Sequence, residues 1–406
     1  MLNPKTNERE LAYIVTIDEL KPIPNYDRVE HARVGGWWVI VKKDQFKVGD
    51  LAIYIEVDSK VPEEEPFLFL GPKKYRVKTQ KMCKVLSQGL LMHPEDFGWK
   101  TNTSGQFAGD MPLISTGKAT LIEGDFVTNE LGITYYEPED NKRKANSVDK
   151  YKKMAQRRPD IFRKPWAKWM MRRNWGKKVM FLFFGKKKDK KGAWPSWIKK
   201  TDEERCQNMP WLFPGGDERF TVTEKIDGTS TTFAIKGHGK KQEFYVCSRN
   251  VVQADPDREC YYDSNVYWEM AEKYNVKEKL ASFMDPGIEY IILQGETYGV
   301  GVQKRDYSLE GHDFAAFNFI VKEENVEPIR FDWYEMKRLL DVVGIPVVPL
   351  VDGDFKIPET CDELLEIAEG NSAIDGKMRE GIVIRSKDGQ RSFKAVSNPF
   401  LLKYHS

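Results

Sequence analysis

The sequence predicts a multidomain protein of the β plus α/β class, and three observations lead to that prediction. At 406 residues the chain is too long for one ordinary hydrophobic core. Short strand-like runs dominate residues 1–135, whereas strand-like and helical patterns alternate over residues 201–406. Residues 136–200, between the two, are far more basic than either neighbour. We therefore expect a β-rich N-terminal domain, a basic helical insert and a C-terminal α+β domain.

The overall composition is that of a soluble globular protein, with 40% hydrophobic and 31% charged residues. The longest apolar run, VMFLFF at residues 179–184, is far shorter than the roughly 20 residues of a membrane-spanning helix. No secretory signal opens the chain, and the five scattered cysteines lack CxxC spacing. We therefore expect a cytoplasmic protein with reduced thiols, no zinc site and no membrane contact.

Short strands separated by turn signals fill residues 11–135. The runs LAYIVTIDEL, GGWWVIVKK, DLAIYIEVD and GLLM are rich in β-branched and aromatic residues. Their spacing favours a small barrel, with a generic antiparallel β domain as the alternative. The amino-acid sequence from Asp27 to Pro62 resembles that of the OB-fold domains attached to some tRNA-binding proteins and RNA ligases. In those domains a Gly-Asp turn, here Gly49 and Asp50, links two strands, so we expect an OB-like β-barrel that binds nucleic acid.

The net charge of +2 conceals a strong asymmetry along the chain. Residues 141–200 hold 22 Lys or Arg and three acids, which leaves 42 basic and 59 acidic residues elsewhere. Such a localised excess marks a surface that faces a polyanion. Ten aromatic residues lie among the basic ones, and nucleic-acid strands are bound by phosphate neutralisation together with base stacking. The composition of the insert, residues 136–200, therefore predicts that it clamps nucleic acid, with a solvated linker as the alternative.

Residues 165–184 predict a helix within this insert. The apolar residues Trp166, Trp169, Met170 and Val179 have the spacing of one packed face, with Lys and Arg on the other face. We therefore expect these four side chains to pack.

Residues 201–406 alternate strand-like runs with helical patterns. Three helices are expected, at residues 257–283, 332–342 and 360–369. The last opens with a capping box at Thr360 and Glu363, and Gly344 and Gly370 are stop signals for the second and third. This alternation predicts an α+β domain built on antiparallel sheets.

Chemically suggestive side chains recur at the ends of these strands or within them. They are Lys225 after FTVTE, Arg249 after FYVCS, Glu296 after YIILQG, Phe317 in FAAFNF, Glu380 before GIVIR and Lys394 in SFKAVS. The Lys-x-Asp-Gly pattern that begins at Lys225 arises by chance in roughly one chain of this length in ten. Each of the six has an ordinary structural explanation when taken alone, as a core phenylalanine, a surface acid or a strand-edge lysine. Their common order and placement favour a functional set.

This order of six motifs resembles the covalent nucleotidyltransferase superfamily of ATP-dependent ligases and mRNA-capping enzymes. The resemblance implies a nucleotidyltransferase domain of ATP-grasp-like antiparallel sheets, in which Lys225 attacks ATP and carries AMP as lysyl-AMP. The amine must be neutral to attack, and a free lysine has a pKa near ~10.4. We expect Lys394 to repel the ammonium form of Lys225 and to offset charge on the α-phosphate.

The resemblance also implies a metal site. Glu380 and Asp227, with Glu296 as a further candidate, would bind a divalent cation, Mg or Mn, because such ions prefer oxygen ligands. The cation would assist the departure of pyrophosphate.

Further residues would contact the nucleotide. By resemblance, Glu296 would meet the ribose hydroxyls, Phe317 would stack on the adenine, and Arg249 would contact ribose or phosphate. Gly228 lets the backbone turn tightly beside the nucleotide. Glu224 would help to frame the adenine pocket.

The order of domains indicates one branch of the superfamily. DNA ligases and capping enzymes carry an OB domain after the catalytic domain, whereas twelve residues follow Lys394 here. An OB-like domain ahead of the catalytic domain resembles the family-5 RNA ligases. The element Arg205, Gln207 and Asn208 resembles the Arg-x-Gln-Asn element of RNA ligases, and we expect Arg205 to touch phosphate.

One position departs from the pattern of many ligases, because Val396 stands where they have a second lysine. Lys403 or a basic residue elsewhere would have to substitute for it.

The family-5 resemblance implies an ATP-dependent RNA ligase that seals 3′-OH/5′-phosphate nicks through lysyl-AMP and a 5′-adenylylated strand. The expected partner is a nicked duplex of RNA or an RNA/DNA hybrid, with RNA on the 3′-OH side, and nothing requires more than a monomer. A capping-type guanylyltransferase is the first alternative, disfavoured by the lack of a C-terminal OB domain. A non-catalytic OB-fold nucleic-acid-binding protein is the second, disfavoured by the intact set of lysines and glutamates.

Overall fold

The computed structural model describes residues 9–102, 112–136, 161, 164–171, 173, 179–180, 194–253, 264–389 and 391–405. Within these residues, no helix is long and apolar enough to cross a membrane. The expected class is confirmed, with a β-rich N-terminal part and a mixed α and β C-terminal part. The cysteines in the described ranges are free thiols, and the fifth, Cys260, lies outside them.

The N-terminal part consists of short strands. They are β1 Ala12–Thr16, β2 Glu19–Ile23, β3 Tyr26–Val34, β4 Trp37–Lys42, β5 Leu51–Ile55, β6 Ser59–Lys60, β7 Gln80–Met82, β8 Val85–Ser87, β9 Leu90–Met92, β10 Lys100–Asn102, β11 Leu113–Ser115, β12 Thr120–Leu121 and β13 Thr134–Tyr135. The main sheets have the orders β1-β5-β9 and β2-β3-β4, and smaller sheets pair β10-β11-β12, β13-β6 and β7-β8. The described strands thus form separate small sheets where the sequence predicts one barrel.

Strand β5 explains why the N-terminal part forms several sheets that pack on each other. All five of its residues are buried, because opposite faces of the strand meet different cores. Ile53 packs with Ile14 on one side, whereas Tyr54 packs with Trp37 on the other. An apolar run without alternation is the signature of such a doubly buried strand. The turn before it is the expected one, since Gly49 has a φ of +92°.

The described part of the insert contains α1, Pro165–Met171. The packed face differs from the expected one, because Trp166 and Trp169 are about half exposed and Val179 is also exposed. Ala167 is the buried side chain of this helix, and Arg173 stacks over the Trp169 ring at 3.9 Å. The spacing of apolar residues cannot distinguish two adjacent faces of a short helix. Here the face with Ala167 is buried, and the face with the two tryptophans is exposed. Residues 137–160 and 181–193, which contain many of the lysines of the insert, lie outside the described residues.

The C-terminal part contains ten strands in the described ranges. They are β14 Glu204–Arg205, β15 Arg219–Lys225, β16 Thr229–Lys236, β17 Glu243–Cys247, β18 Ile288–Gly299, β19 His312–Glu323, β20 Ile329–Arg330, β21 Leu350–Lys356, β22 Gly381–Ser386 and β23 Ser392–Val396. The order β14-β23-β22-β15-β21 defines one sheet, here called the lysine sheet, and β17-β16-β18-β19-β20 defines the other, here called the glutamate sheet. The pair β14 and β23 is parallel, so the lysine sheet is mixed where antiparallel pairing is expected.

Helices cover the outer faces of these sheets. They are α2 Val266–Lys273, α3 Val276–Ser282, α4 Trp333–Val343, α5 Cys361–Ala368 and the short C-terminal α6 Asn398–Phe400. The pattern expected at 257–283 is divided at Asn275, which has a φ of +47°, and its first residues lie outside the described ranges. The capping box of α5 is present at Thr360 and Glu363, and Gly344 ends α4 in the left-handed conformation.

The two sheets use one face each for a hydrophobic core, and their other faces form a cleft. Phe220 and Val222 of the lysine sheet pack on Leu364 of α5. Phe233 and Leu293 of the glutamate sheet belong to a second core, with α2, α3 and α4. Because alternate residues of a strand point to opposite faces, Lys225 and Glu296 point into the cleft, whereas Ala234 and Ile292 pack with Ile198.

The N-terminal part docks on the C-terminal part through the β3–β4 turn. Trp37 Nε1 donates to Asn208 Oδ1 at 2.8 Å, and both side chains are almost fully buried. Gly36 lies so close to Gln207 that a Cβ there would be 2.8 Å from the Gln207 Cα. This contact holds the segment that follows β14 in place beside the cleft.

Candidate active site

Lys225 lies at the end of β15, on the cleft face of the lysine sheet. It pairs in register with Gly381 of β22, and Lys394 of β23 pairs with Val383 two residues further along. Residues paired across neighbouring strands share a face, so Lys225 and Lys394 point to the same side. The predicted strand ends at Lys225 and Glu380 therefore meet in space, although 155 positions separate them.

The Lys225 ammonium group is held by Glu380. Lys225 Nζ lies 2.7 Å from the Glu380 carboxylate. Burial alone would lower the pKa of Lys225, but the carboxylates of Glu380, Glu296 and Asp227 outweigh it and raise the pKa. In the free site the contacting acid outweighs burial, and the expected repulsion of the Lys225 ammonium by Lys394 stays a prediction.

Glu296 and Asp227 complete a group of carboxylates around Lys225. Burial raises the pKa of Glu296 to about 8, with Lys225 opposing the shift and Glu380 and Asp227 adding to it. Asp227 is buried, and its backbone N–H donates to the Tyr307 hydroxyl at 2.6 Å. The cleft thus concentrates negative charge where the sequence places its metal ligands.

The turn after Lys225 packs against β18. A Cβ on Gly228 would clash with the carbonyl oxygen of Thr297 and lie 2.8 Å from Glu296 Cγ. Gln303 Nε2 donates to the carbonyl oxygen of Gly228 at 2.9 Å. The predicted close approach of Gly228 is therefore to the neighbouring strand, and that approach fixes the distance between Lys225 and Glu296.

Lys394 has the opposite electrostatic environment to Lys225. Burial lowers the pKa of Lys394 to about 8, and the charges of Arg205, Lys225 and Arg9 lower it further. Asp202, 3.6 Å away, opposes this shift. Lys394 is therefore a cation close to its neutral form.

Arg249 and Arg205 flank Lys394. Arg249 Nη2 lies 3.2 Å from Asp202 Oδ2 and 3.5 Å from the Tyr135 hydroxyl of the N-terminal part. Arg205 pairs with Lys394 across β14 and β23, and its guanidinium lies 5.7 Å from the Trp37 ring centroid. The structure therefore brings three of the predicted phosphate-binding cations to one end of the cleft.

Phe317 is the extra residue of a β-bulge between β18 and β19. Gln294 pairs with Asn318 and Gly295 with Ala316, which leaves Phe317 unpaired in the ladder. It lines a cavity of about 320 Å³ between the two sheets, together with Thr223. The lining of this cavity does not include Lys225, Glu296, Glu380 or Lys394, and stacking of Phe317 on the adenine stays a prediction.

Glu224 forms no pair with Lys225 in this arrangement. It is buried, and its carboxylate accepts the N–H of Ala373 at 2.9 Å. Burial raises the pKa of Glu224, and hydrogen bonds from Ser372 and Ala373 oppose the shift. Its contribution to an adenine pocket stays a prediction.

Val396 and Lys225 both pair with Gly381, one from each neighbouring strand, so they lie at the same level of the sheet. The side chain is buried with Leu86 of the N-terminal part and with Leu401. Contact between the domains therefore takes the position where many ligases have a second lysine. Lys403, the suggested substitute, is exposed and stacks over Tyr404 at 5.0 Å.

The described residues contain no group of three or more His, Cys, Asp or Glu side chains arranged to hold a metal ion. The donor chemistry of Glu380, Asp227 and Glu296 nevertheless fits a hard divalent cation, because carboxylate oxygens are its preferred ligands. Burial raises the pKa of Glu296, with Glu380 and Asp227 adding to the shift, and a bound cation would oppose it. These residues thus fit such a cation by chemistry, and their grouping as ligands stays a prediction.

Sequence reasoning missed Asp202, Tyr307 and Gln303. The last two anchor the turn after Lys225 from a loop of seventy or more positions further on. Asp202 lies just ahead of Arg205, but one of three consecutive acids in the run TDEER carries no distinguishing signal. Their roles follow from tertiary contacts that local patterns do not encode.

Family models match both parts of the chain. Residues 218–404 match a family model described as RNA ligase, and residues 11–94 match one described as an OB-fold domain. No curated protein matches the chain.

The chain is also similar to solved structures of Naegleria gruberi RNA ligase. A lysine-to-alanine variant with ATP and Mn is 26% identical, with a TM-score of 0.66 over 97% of this chain and 99% of that one. A glutamate-to-alanine variant with AMP and Mn is 26% identical, with a TM-score of 0.65 over 98% and 99%. A structure of that ligase with PPi gives the same identity, TM-score and coverage.

Proposed function

We propose that this chain, a ligase enzyme with an OB-fold domain and an RNA ligase domain, seals 3′-OH/5′-phosphate nicks in duplexes. ATP supplies the energy, and RNA is required on the 3′-OH side of the nick. The strand opposite the nick is RNA or DNA. The observation that carries the proposal is Lys225 in contact with Glu380 at 2.7 Å, with Lys394 on the same face of the sheet.

The first step forms lysyl-AMP. Lys225 Nζ loses a proton and attacks the α-phosphorus of ATP, the bond to the β-phosphate oxygen breaks, and pyrophosphate leaves. Glu380 is placed to accept the proton because its carboxylate lies 2.7 Å from Nζ. Lys394 and Arg249 stabilise the negative charge that develops on the phosphate oxygens.

The second and third steps transfer AMP and join the strands. An oxygen of the 5′-phosphate attacks the lysyl-AMP phosphorus, the P–N bond breaks, and Lys225 regains its proton. The 3′-OH then loses its proton to solvent, its oxygen attacks the phosphorus of the 5′-phosphate, and AMP leaves as the phosphodiester forms. Both steps place phosphates beside the cations Arg249, Arg205 and Lys394.

Glu380, Asp227 and Glu296 would hold the divalent cation, Mg or Mn, which supplies charge neutralisation for the triphosphate and the leaving pyrophosphate. Support for ATP and Mn comes from the Naegleria gruberi ligase structures that contain them. Within the chain, Phe317 stacks on the adenine, Glu296 meets the ribose, and Glu224 frames the pocket.

Incubation with radiolabelled ATP or GTP and Mg²⁺ or Mn²⁺, followed by denaturing electrophoresis, tests the first step. We expect covalent label from ATP, lost in Lys225→Ala and kept in Lys356→Ala, which removes an exposed lysine of β21. Label from GTP alone would indicate the capping-type guanylyltransferase. A chain that takes label from neither nucleotide would be a binding protein.

Sealing is tested with duplexes that carry one nick. We expect joining when the 3′-OH strand ends in RNA and little joining when it ends in DNA, whatever the template. Equal joining of the two nicks would contradict the proposed specificity. The enzyme acts as a cytoplasmic monomer in this proposal, and sedimentation at working concentration checks the monomer.

The basic insert would clamp the duplex. Removing residues 141–195 should weaken nick binding and flatten the dependence of affinity on salt, because fewer counterions are released. If the truncated chain keeps both the affinity and the slope, the insert does not grip the backbone.

A further inference from the structure

Asp202 lies among basic side chains at the end of the cleft. Its carboxylate is 3.1 Å from Arg9 Nη1, 3.2 Å from Arg249 Nη2 and 3.6 Å from Lys394 Nζ. Two of these cations come from different parts of the catalytic domain and the third from the N-terminal part. One carboxylate thus contacts three cations that are distant in sequence.

The charge at this end of the cleft is positive overall. Arg205 Nη1 is buried and has no hydrogen-bond partner among the described residues. Arg205, Lys225 and Arg9 all lower the pKa of Lys394, and Asp202 is the acid that raises it. Because the cations repel one another, an anion bound between them is strongly favoured.

We propose that Asp202 is a resident anion, which holds Arg249 and Lys394 at the place of a substrate phosphate and is displaced when the phosphate binds. The inference rests on the proposed function, since it takes those two cations to bind phosphate. Asp202 is a positioning residue in this scheme and does not touch the reacting atoms.

Displacement follows from the competition for the same donors. A phosphate oxygen and the Asp202 carboxylate cannot both occupy the space between Arg249 and Lys394 without strong repulsion. The Asp202 side chain keeps 40% of its surface exposed, so it can move toward solvent.

Arg9 gives the displaced carboxylate a partner. Arg9 lies 3.6 Å from the buried Glu56 and stacks over the Tyr135 ring at 5.1 Å, so its own position is fixed by the N-terminal part. Asp202 can therefore keep its bond to Arg9 while it releases Arg249 and Lys394.

The inference predicts that loss of the carboxylate tightens anion binding. Titration calorimetry of the full chain with pyrophosphate and Mg²⁺ measures this without any chemistry on Lys225. In Asp202→Asn we expect the Kd to fall by about tenfold, because the competing charge is gone while a similar shape remains. Asp202→Glu should keep a Kd near that of the unaltered chain.

Asp217→Asn is the matched control, since it removes one exposed acid of the same domain from its pair with Lys356. We expect its Kd for pyrophosphate to be unchanged. An equal or weaker affinity in Asp202→Asn overturns the inference, because a residue with a purely structural role would lower affinity when altered.

A second measurement needs no substitution at Asp202. In a crystal structure of the pyrophosphate complex, the contact between Asp202 and Lys394, now 3.6 Å, should open beyond ~4 Å. A contact that persists in that complex contradicts displacement. Labelling by ATP tests the ligase proposal separately. Tighter pyrophosphate binding in Asp202→Asn without any covalent label would contradict the ligase proposal and leave the inference about Asp202 standing.

Discussion

The two lysines of the cleft are both partly buried, yet their pKa values shift in opposite directions. Lys225 touches Glu380 and has two further acids nearby, which raise its pKa. Lys394 has cations as most of its charged neighbours, and its pKa falls to about 8. Desolvation lowers the pKa of both side chains; three nearby acids outweigh it at Lys225, whereas Asp202 alone does not outweigh it at Lys394. In the free site Lys225 is thus protonated, and Lys394 is the lysine poised to lose its proton.

The lowered pKa of Lys394 predicts a measurable dependence of stability on pH. Between pH 8 and about 10.5 the unfolded chain binds more protons at this lysine than the folded chain does, so folding stability rises with pH. Relative to Lys394→Met, the unaltered chain should gain about 1–2 kcal/mol in free energy of unfolding between pH 7.5 and 9.5. Urea denaturation at both pH values measures the difference.

Lys356→Met is the control for that experiment, because it removes an exposed lysine with the same formal charge. Its stability difference from the unaltered chain should stay constant over the same range. A constant difference for Lys394→Met as well would contradict the assigned pKa.

At the scale of elements, the active site depends on how tightly the turn between β15 and β16 packs on β18. The register Thr229 to Thr297 and Ser230 to Glu296 brings the turn directly beside the strand that carries Glu296. Gly228 makes this approach possible because it has no side chain to separate them.

Gly228→Ala should therefore impair the chemistry more than the fold. The added methyl group meets the backbone of Thr297, which cannot move without shifting β18, so Lys225 and Glu296 are forced apart. We expect lysyl-AMP formation to slow by more than about tenfold, with a loss of roughly 1–3 kcal/mol in stability. Rapid-quench labelling and urea denaturation measure the two effects.

Gly311→Ala serves as the comparison, since a Cβ there meets nothing within 4 Å. It should label at the unaltered rate. Normal labelling in Gly228→Ala would mean that the close approach is not needed.

Much of this arrangement could be predicted at the level of strands. The run RFTVTEK is β15 without a change of boundary, because it alternates and a turn signal follows it, and the apolar run GIVIRS, also followed by a turn signal, is β22. Strand β21 was missed, since its sequence LVDGDFK contains the Asp and Gly residues of a turn and pairs through register shifts. Asp202 was missed for a different reason, because its meaning comes from three cations that only the fold brings together.

At the scale of the whole molecule, the N-terminal part does more than add a binding surface. Leu86 packs on Val396, Trp37 bonds Asn208, and Arg33 pairs with Asp362 of α5 at 3.0 Å. The first two contacts reach residues next to Lys394 and Arg205. The position of the docked N-terminal part therefore affects the end of the cleft that holds Arg205, Arg249 and Lys394.

Gly36→Ala tests that link at its tightest point. The new Cβ would lie 2.8 Å from Gln207 Cα and 3.0 Å from Cys361 Sγ, so the β3–β4 turn must withdraw from the segment after β14. Withdrawal lengthens the bond from Trp37 to Asn208 and costs roughly 1–3 kcal/mol of docking free energy. We expect faster proteolysis between the domains and a severalfold loss of ATP labelling, because Arg205 moves with the same segment.

The outcome distinguishes a coupled molecule from two domains that merely touch. Gly216→Ala, where a Cβ meets nothing within 4 Å, should leave both the proteolysis and the labelling unchanged. Faster proteolysis with normal labelling in Gly36→Ala would show that the cleft keeps its geometry without the docked domain. If instead proteolysis and labelling change together, the position of the N-terminal part determines the position of the cations that bind phosphate. The contact between Trp37 and Asn208 would carry this effect, because it fixes the segment that contains Arg205.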